Sequence, residues 1–228
     1  MRIFTLVLIF VFMLPAWAQR SDFAEIDFGK ADLLAREHKG EDLKAIPILV
    51  HKLTSSLDTD VEKFRAFYMW VSQNIRGDYH LMVENNSMRK KYQNDSIALV
   101  NWNQGFKKEV FKILRRKKRT LCSGYTYLIK EMANLAGIEC EIIDGYGPIN
   151  KLKLEKLKVP NHSWNAVKLE GKWYLCDSTW AAGYTDLETY LFKFDYDDQY
   201  FLMAPEEFAK THMPVDTSWL LLDMTSRE

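Results

Sequence analysis

Residues Asn161 to Trp180 read NHSWNAVKLEGKWYLCDSTW, and the pairing of the two halves of this stretch decides the fold. Ser163 to Leu169 and Lys172 to Ser178 carry the branched and aromatic residues of strands, joined around Gly171. If Glu170 and Gly171 alone form the loop, Leu169 faces Lys172, Trp164 faces Asp177 and His162 faces Thr179. Side chains alternate with period two, so His162 and Asp177 then share one face as diagonal neighbours, about 7–8 Å apart at the backbone. A loop of odd length would put them on opposite faces. The parity of one turn therefore decides whether an imidazole and a carboxylate meet.

Upstream, a helix begins near Cys122. Tyr125, Leu128, Ile129, Met132, Leu135 and Ala136 mark its buried face, and Gly137 stops it. Cys140 to Ile143 then reads as a strand ending at Gly145. Thr59 to Ile75 is a further helix with a capping box at Thr59 and Glu62 and an apolar stripe of Val61, Phe64, Tyr68, Val71 and Ile75. Phe106 to Arg116 reads as a shorter helix, and the polar stretch from Arg76 to Gln104 as loop. Tyr200 to Leu222 alternates short apolar pieces with Pro205 and Pro214 and is expected to pack across the sheet. Helices first and an antiparallel sheet after them make an α+β arrangement.

The chain has 228 residues, with 31 basic and 31 acidic side chains, so no global charge points to nucleic acid. Residues 1–18 have a positive start at Arg2, an apolar core from Ile3 to Leu14 and the small-x-small site Ala16-Trp17-Ala18. That layout predicts a signal peptide cut after Ala18 and a secreted or periplasmic protein. Its apolar core is short for a bilayer span, and no other run is long enough, so stable membrane insertion is not expected. The remainder reads as one domain: a helical and loop-rich region over 19–104, and a core with a C-terminal extension over 105–228. Its aromatic content, 14% of the chain, supplies ample core area. Cys122, Cys140 and Cys176 are three, so at least one thiol stays free or pairs with another chain. A bridge between Cys140 and Cys176 would need their strands to be adjacent. No CxxC or HExxH occurs, and neither metal nor cofactor is expected.

Cys122 follows the basic run Arg115 to Arg119 at the start of its helix. Cations and a helix N-terminus both favour a thiolate, although such a run is most simply a solvated helix end. A lone cysteine is as readily a small core residue, a strand histidine a packing residue, and an aspartate at a strand end a cap. The combination is what carries weight: a helix-mouth cysteine, a strand histidine, and an aspartate on the same face of the next strand form a nucleophilic triad. Cys122 would attack a carbonyl as a thiolate, His162 would pair with it and protonate the leaving amine, and Asp177 would orient the ring. The Cys122 amide would supply one oxyanion donor. Trp164, Trp102 and Gln104 are candidates for the substrate or oxyanion region. His212, in THMP, ranks below His162 as a base because nothing near it in sequence orients it.

At these residues the chain resembles the transglutaminase-like superfamily. The resemblance is carried by LCSGYTYLIKEMANLAGIECEIIDGYG, Leu121 to Gly147, and by NHSWNAVKLEGKWYLCDSTWAAG, Asn161 to Gly183. The tail YFLMAPEEFAKTHMP, Tyr200 to Pro214, followed by Trp219, is similar to the branch that includes kyphoscoliosis peptidase. The resemblance implies a papain-like core, with Cys122, His162 and Asp177 on the family's catalytic positions. It also implies acyl transfer on amide bonds of a protein or peptide through a thioester, hydrolysis being favoured over cross-linking. Calcium is not carried over, because no residues match the ligand set of the animal cross-linking enzymes. Arg76-Gly77-Asp78-Tyr79 and the insertion from Leu81 to Gln104 depart from the pattern and bear on the shape of the cleft. The alternative is a catalytically silent domain that binds a protein or cell-wall partner through Trp102, Trp180 and Trp219.

Overall fold

The helix from Asp60 to Asn74 forms the centre of the molecule. In the computed structural model, which describes residues 19–148 and 159–222, its side chains from Phe64 to Ser72 are all buried. The capping box is present as expected: Thr59 Oγ1 accepts from the Glu62 amide at 3.3 Å, and Glu62 Oε2 accepts from the Thr59 amide at 3.0 Å. The residues assigned to a signal peptide lie outside the described residues.

In chain order the helices are α1 (Gly29–Glu37), α2 (Ile46–Thr54), α3 (Asp60–Asn74), α4 (Tyr79–Lys91), α5 (Ser96–Lys117), α6 (Cys122–Leu135), α7 (Ser178–Ala182) and α8 (Pro205–Phe208). The strands are β1 (Arg76–Gly77), β2 (Arg119–Thr120), β3 (Cys140–Tyr146), β4 (His162–Leu169), β5 (Lys172–Cys176), β6 (Gly183–Thr185), β7 (Phe192–Phe194) and β8 (Met213–Pro214). The main sheet is antiparallel in the order β5-β4-β3-β8, and the fold is α+β. One face packs on α6, with α3 behind it, around Val167, Leu169 and Tyr174. The other face is covered by the C-terminal segment, where Trp164, Ala166 and Leu175 meet Phe208 and Leu221. β4 is thus buried on both sides, which explains its nearly continuous apolar run.

The decisive turn has two residues. Leu169 pairs with Lys172 and Asn165 with Cys176, while Glu170 and Gly171 take φ values of 49° and 80°, as a type I′ turn requires. The expected parity is met, but the ladder is shorter than expected. β5 ends at Cys176, and Asp177 leaves the sheet to cap α7, its Oδ1 accepting from the amides of Thr179 and Trp180. The reason is local: Asp-Ser-Thr is a strong helix-start signal that outcompetes two further ladder bonds.

Two other expectations are corrected. The stretch from Arg76 to Gln104 is largely helical, and the helix expected from Phe106 begins ten residues earlier at Ser96, so the division drawn at residue 104 falls inside α5. Asp78 and Asp95 cap α4 and α5 by accepting from Leu81 and Ala98, but α4 buries only Leu81 and so shows no apolar stripe in sequence. Cys140 and Cys176 are free thiols on β3 and β5, with β4 between them, so the adjacency a bridge needs is lacking.

Gly145 pairs with His162 across β3 and β4 and with Pro214 of β8. A Cβ there would lie 2.3 Å from the Trp164 ring and 2.4 Å from the Met213 carbonyl oxygen. Gly145→Ala is expected to cost about 1–3 kcal/mol, seen as a melting temperature lower by roughly 2–12 °C. An unchanged melt would mean that β8 is not seated on β3.

Candidate active site

His162 is the first residue of β4, and its approach is fixed by the residue before it. Asn161 bonds Gly147 twice, accepting from its amide and donating to its carbonyl, each at 2.9 Å. From the sheet side, His162 Nε2 lies 2.6 Å from Asp177 Oδ2. A carboxylate only accepts, so Nε2 carries the proton and Nδ1 is left for the cleft. Trp180 stacks on the ring at 5.0 Å with an interplanar angle of 18°.

Cys122 opens α6, and α6 is held to the sheet by a buried amide. Asn165 Nδ2 donates to Thr126 O of α6 and to Glu141 O of β3, both at 3.1 Å. Tyr125 Oη donates to Ile75 O at 2.7 Å and ties the same turn to the end of α3. Cys122 is half-buried and lines a cleft of about 560 Å³ with His162, Ser163 and Asn161. The Cys122 amide is one of the first-turn donors that a helix leaves without an internal acceptor.

The electrostatics of the two groups are mutual. Burial opposes ionisation of Cys122, but the hydrogen bond and charge of His162, with the hydroxyl and amide of Ser163, hold the thiol below its ordinary value. Burial likewise opposes charge on His162, yet Asp177 and Cys122 raise it to about 10. Burial would raise Asp177 as well, and His162 and His212 together hold it below the usual carboxylate range. Cys140 is pushed up to about 12 by burial, and Cys176 is also raised. The three thiols therefore differ in kind.

The basic run does not supply the favourable field. Arg115, Arg116 and Lys117 form the last turn of α5, Lys118 turns back to donate to the Gly40 and Glu41 carbonyls, and Arg119 pairs with Asp78. The cation coupled to the sulfur is Arg89 of α4, which also donates to the Pro160 carbonyl and faces Asp144. Asp144 is raised by burial, against Arg89 and Lys107. The insertion thus contributes Asn85, Arg89 and Asn103 to one wall of the cleft, which Phe106 and Lys107 of α5 continue.

Of the other candidates, Trp164 is buried beneath the site against Phe208, Trp102 stacks on Phe106 at 5.0 Å, and Gln104 lies exposed on α5. None of the three is among the residues that line the cleft. Trp180 is half-buried against His162, and Trp219 packs edge-on against Trp173. Sequence reasoning passed over Ser163, Arg89 and the surroundings of His212. Ser163 adjoins His162 and was there to be found; Arg89 lay in a stretch read as loop.

His212 is buried, with Nε2 3.2 Å from the same Asp177 Oδ2 and Nδ1 2.9 Å from Thr211 Oγ1. Asp177 reaches it through the tertiary fold, but Thr211 is its neighbour in sequence, so the expectation that nothing near it in sequence orients the ring is corrected. His162, Asp177 and His212 present donor atoms within 4.8 Å of one another, as a metal site would. Here both imidazoles direct Nε2 at one carboxylate oxygen, and the hydrogen bonds use the atoms that an ion would need.

A family model described as the transglutaminase-like superfamily matches residues 48–178. Kyphoscoliosis peptidase from Homo sapiens is 33% identical over 197 residues, covering 86% of this chain and 27% of that protein. Hillarin from Drosophila melanogaster is 26% identical over 215 residues, covering 86% of this chain and 23% of that protein. The chain thus spans about a quarter of the length of these relatives. A solved structure described as a crystal structure of a TGase aligns with a TM-score of 0.38 at 17% identity, over 70% of this chain and 33% of that one.

Iodoacetamide is expected to label Cys122 in the native protein and to leave the buried Cys140 and Cys176 unlabelled. The pH midpoint for Cys122 should lie below the ~8.5 of an ordinary thiol. In His162→Ala only the Ser163 hydrogen bonds are left against the burial penalty, and the midpoint should rise above its wild-type position. Equal, slow labelling of all three thiols would contradict the coupling.

Proposed function

The chain belongs to the transglutaminase-like superfamily, and from that membership we propose that it is an exported cysteine enzyme acting on amide bonds of a protein or peptide through a thioester, with water as acceptor. The observation that carries this reading is the bond of 2.6 Å between a buried Asp177 and His162, whose ring is electrostatically paired with Cys122. Export rests on the composition of residues 1–18.

In the proposed reaction the Cys122 thiolate attacks the amide carbonyl, forming a C–S bond and an oxyanion to which the Cys122 amide donates. The His162 imidazolium gives its Nδ1 proton to the leaving nitrogen as the C–N bond breaks. Neutral His162 then takes a proton from water, whose oxygen attacks the thioester. The acid departs, and thiolate and imidazolium are restored. Asp177 accepts from Nε2 throughout and keeps the ring turned to the sulfur. Water is favoured over an amine because the cleft that Cys122 lines has polar walls, with Asn85, Asn103 and Asn161.

Incubation with a peptide pool, read by mass spectrometry of new amino termini, tests this. The wild type is expected to generate termini, Cys122→Ala none, and Asp177→Asn fewer by about 10²-fold or more. Incorporation of a fluorescent amine without new termini would reassign the acceptor. Neither signal, with an unreactive Cys122, would leave a binding module.

A further inference from the structure

The acyl-transfer reading gives His212 no task, yet its setting is as constrained as that of His162. The geometry points to His212 as a positioning residue: its Nε2–H, with the amides of Thr179 and Trp180, clamps the Asp177 carboxylate so that Oδ2 stays directed at His162. For its catalytic consequence this rests on the cysteine-enzyme reading; its geometry does not.

The carboxylate is fully buried and is satisfied in two pairs. Oδ1 takes the two amides of the first turn of α7, at 2.8 and 3.2 Å. Oδ2 takes the two imidazoles, His162 at 2.6 Å and His212 at 3.2 Å. The α7 amides locate one oxygen, but the plane of the carboxylate can still swing about it. A second donor on Oδ2 from the far side removes that freedom. Because a buried charge with an unfilled acceptor site is costly, the same donor also completes its solvation.

The ring of His212 is held as firmly as the group it holds. Phe208 stacks on it at 3.8 Å and 22°, Trp180 lies at 4.4 Å, and Trp164 meets it edge-on at 5.0 Å. Its Nε2 faces a carboxylate and so carries the proton. Thr211 Oγ1, closer to Nδ1 at 2.9 Å than to the Phe208 carbonyl at 3.4 Å, donates to Nδ1 and fixes that tautomer. The ionisable groups that face the ring are Asp177 from the cap of α7, His162 from β4 and Tyr200 from the turn before α8. Burial in the aromatic box lowers its proton affinity, and His162 opposes a second cation. A neutral donor suits the role, since it orients Asp177 without competing with the His162 imidazolium for its charge.

The test separates a hydrogen-bond role from a packing role. His212→Phe keeps an aromatic ring in the box and deletes the donor, whereas His212→Gln keeps an N–H donor and spoils the stack. The first readout is solvent exchange of the His162 Nε2 proton by NMR; the second is the Cys122 alkylation rate at neutral pH. We expect His212→Phe to speed exchange and slow alkylation by about tenfold each, with His212→Gln restoring both to within about threefold, even if Phe melts higher than Gln. Wild-type values in His212→Phe, or values for Gln no better than those for Phe, would overturn the assignment. Should His212→Phe fail to fold, NMR of the wild-type His212 ring decides: a proton on Nε2 protected from exchange supports the role and an unprotonated Nε2 overturns it. Alkylation that is unaffected in His162→Ala would count against the enzyme reading alone, since the exchange comparison still decides the part played by His212.

Discussion

A carboxylate sealed from water beside two imidazoles is the constraint on which this structure turns. Asp177 is fully buried and cannot stay ionised there without donors on every side. Two backbone amides and two buried imidazoles, those of His162 and His212, provide them. To bring those four groups together, β5 must end at Cys176, α7 must start at Ser178, β4 must start at His162, and the C-terminal segment must return over the sheet to bring in His212. The placement of the carboxylate and the path of the last third of the chain are therefore one problem with one solution.

The same arrangement gives the sulfur its character. Left to burial, both Cys122 and His162 would be neutral, and a neutral pair is a poor nucleophile with a poor acid beside it. Asp177 tips the balance toward imidazolium, the imidazolium favours thiolate, and the thiolate in turn holds the proton on the ring. Ser163 adds to this field and Arg89 is coupled to the sulfur, while the conspicuous run from Arg115 to Arg119 is engaged elsewhere.

Much of this could be read from the residues themselves, because the deciding signals are local. The two-residue turn at Glu170-Gly171 set the parity of the hairpin, the capping box set the start of α3, and Gly137, with φ of 78°, marked the end of α6. What escaped was set by tertiary context. α4 has one buried residue and offers no periodic stripe, so the stretch that holds Asp78 and Asp95, the caps of α4 and α5, reads as loop. Asp177 was expected as a strand residue or a cap; it is a cap that also reaches the histidine. The partner of His212 is 35 positions away, and no pattern of neighbours announces it. Trp164, Trp102 and Gln104 are named for the substrate or oxyanion region from residue type alone, and where they lie is set by strand burial and helix face, which residue type does not show.

The central claim is that the buried carboxylate keeps His162 charged against the burial that opposes it. An NMR titration of the His162 ring nitrogens measures this without any substrate. The account predicts a ring doubly protonated through neutral pH that loses its proton only near about 10, and one that loses it at markedly lower pH in Asp177→Asn. Titration at or below the ~6.5 of an unperturbed imidazole in the wild type, or no change in the variant, would contradict it.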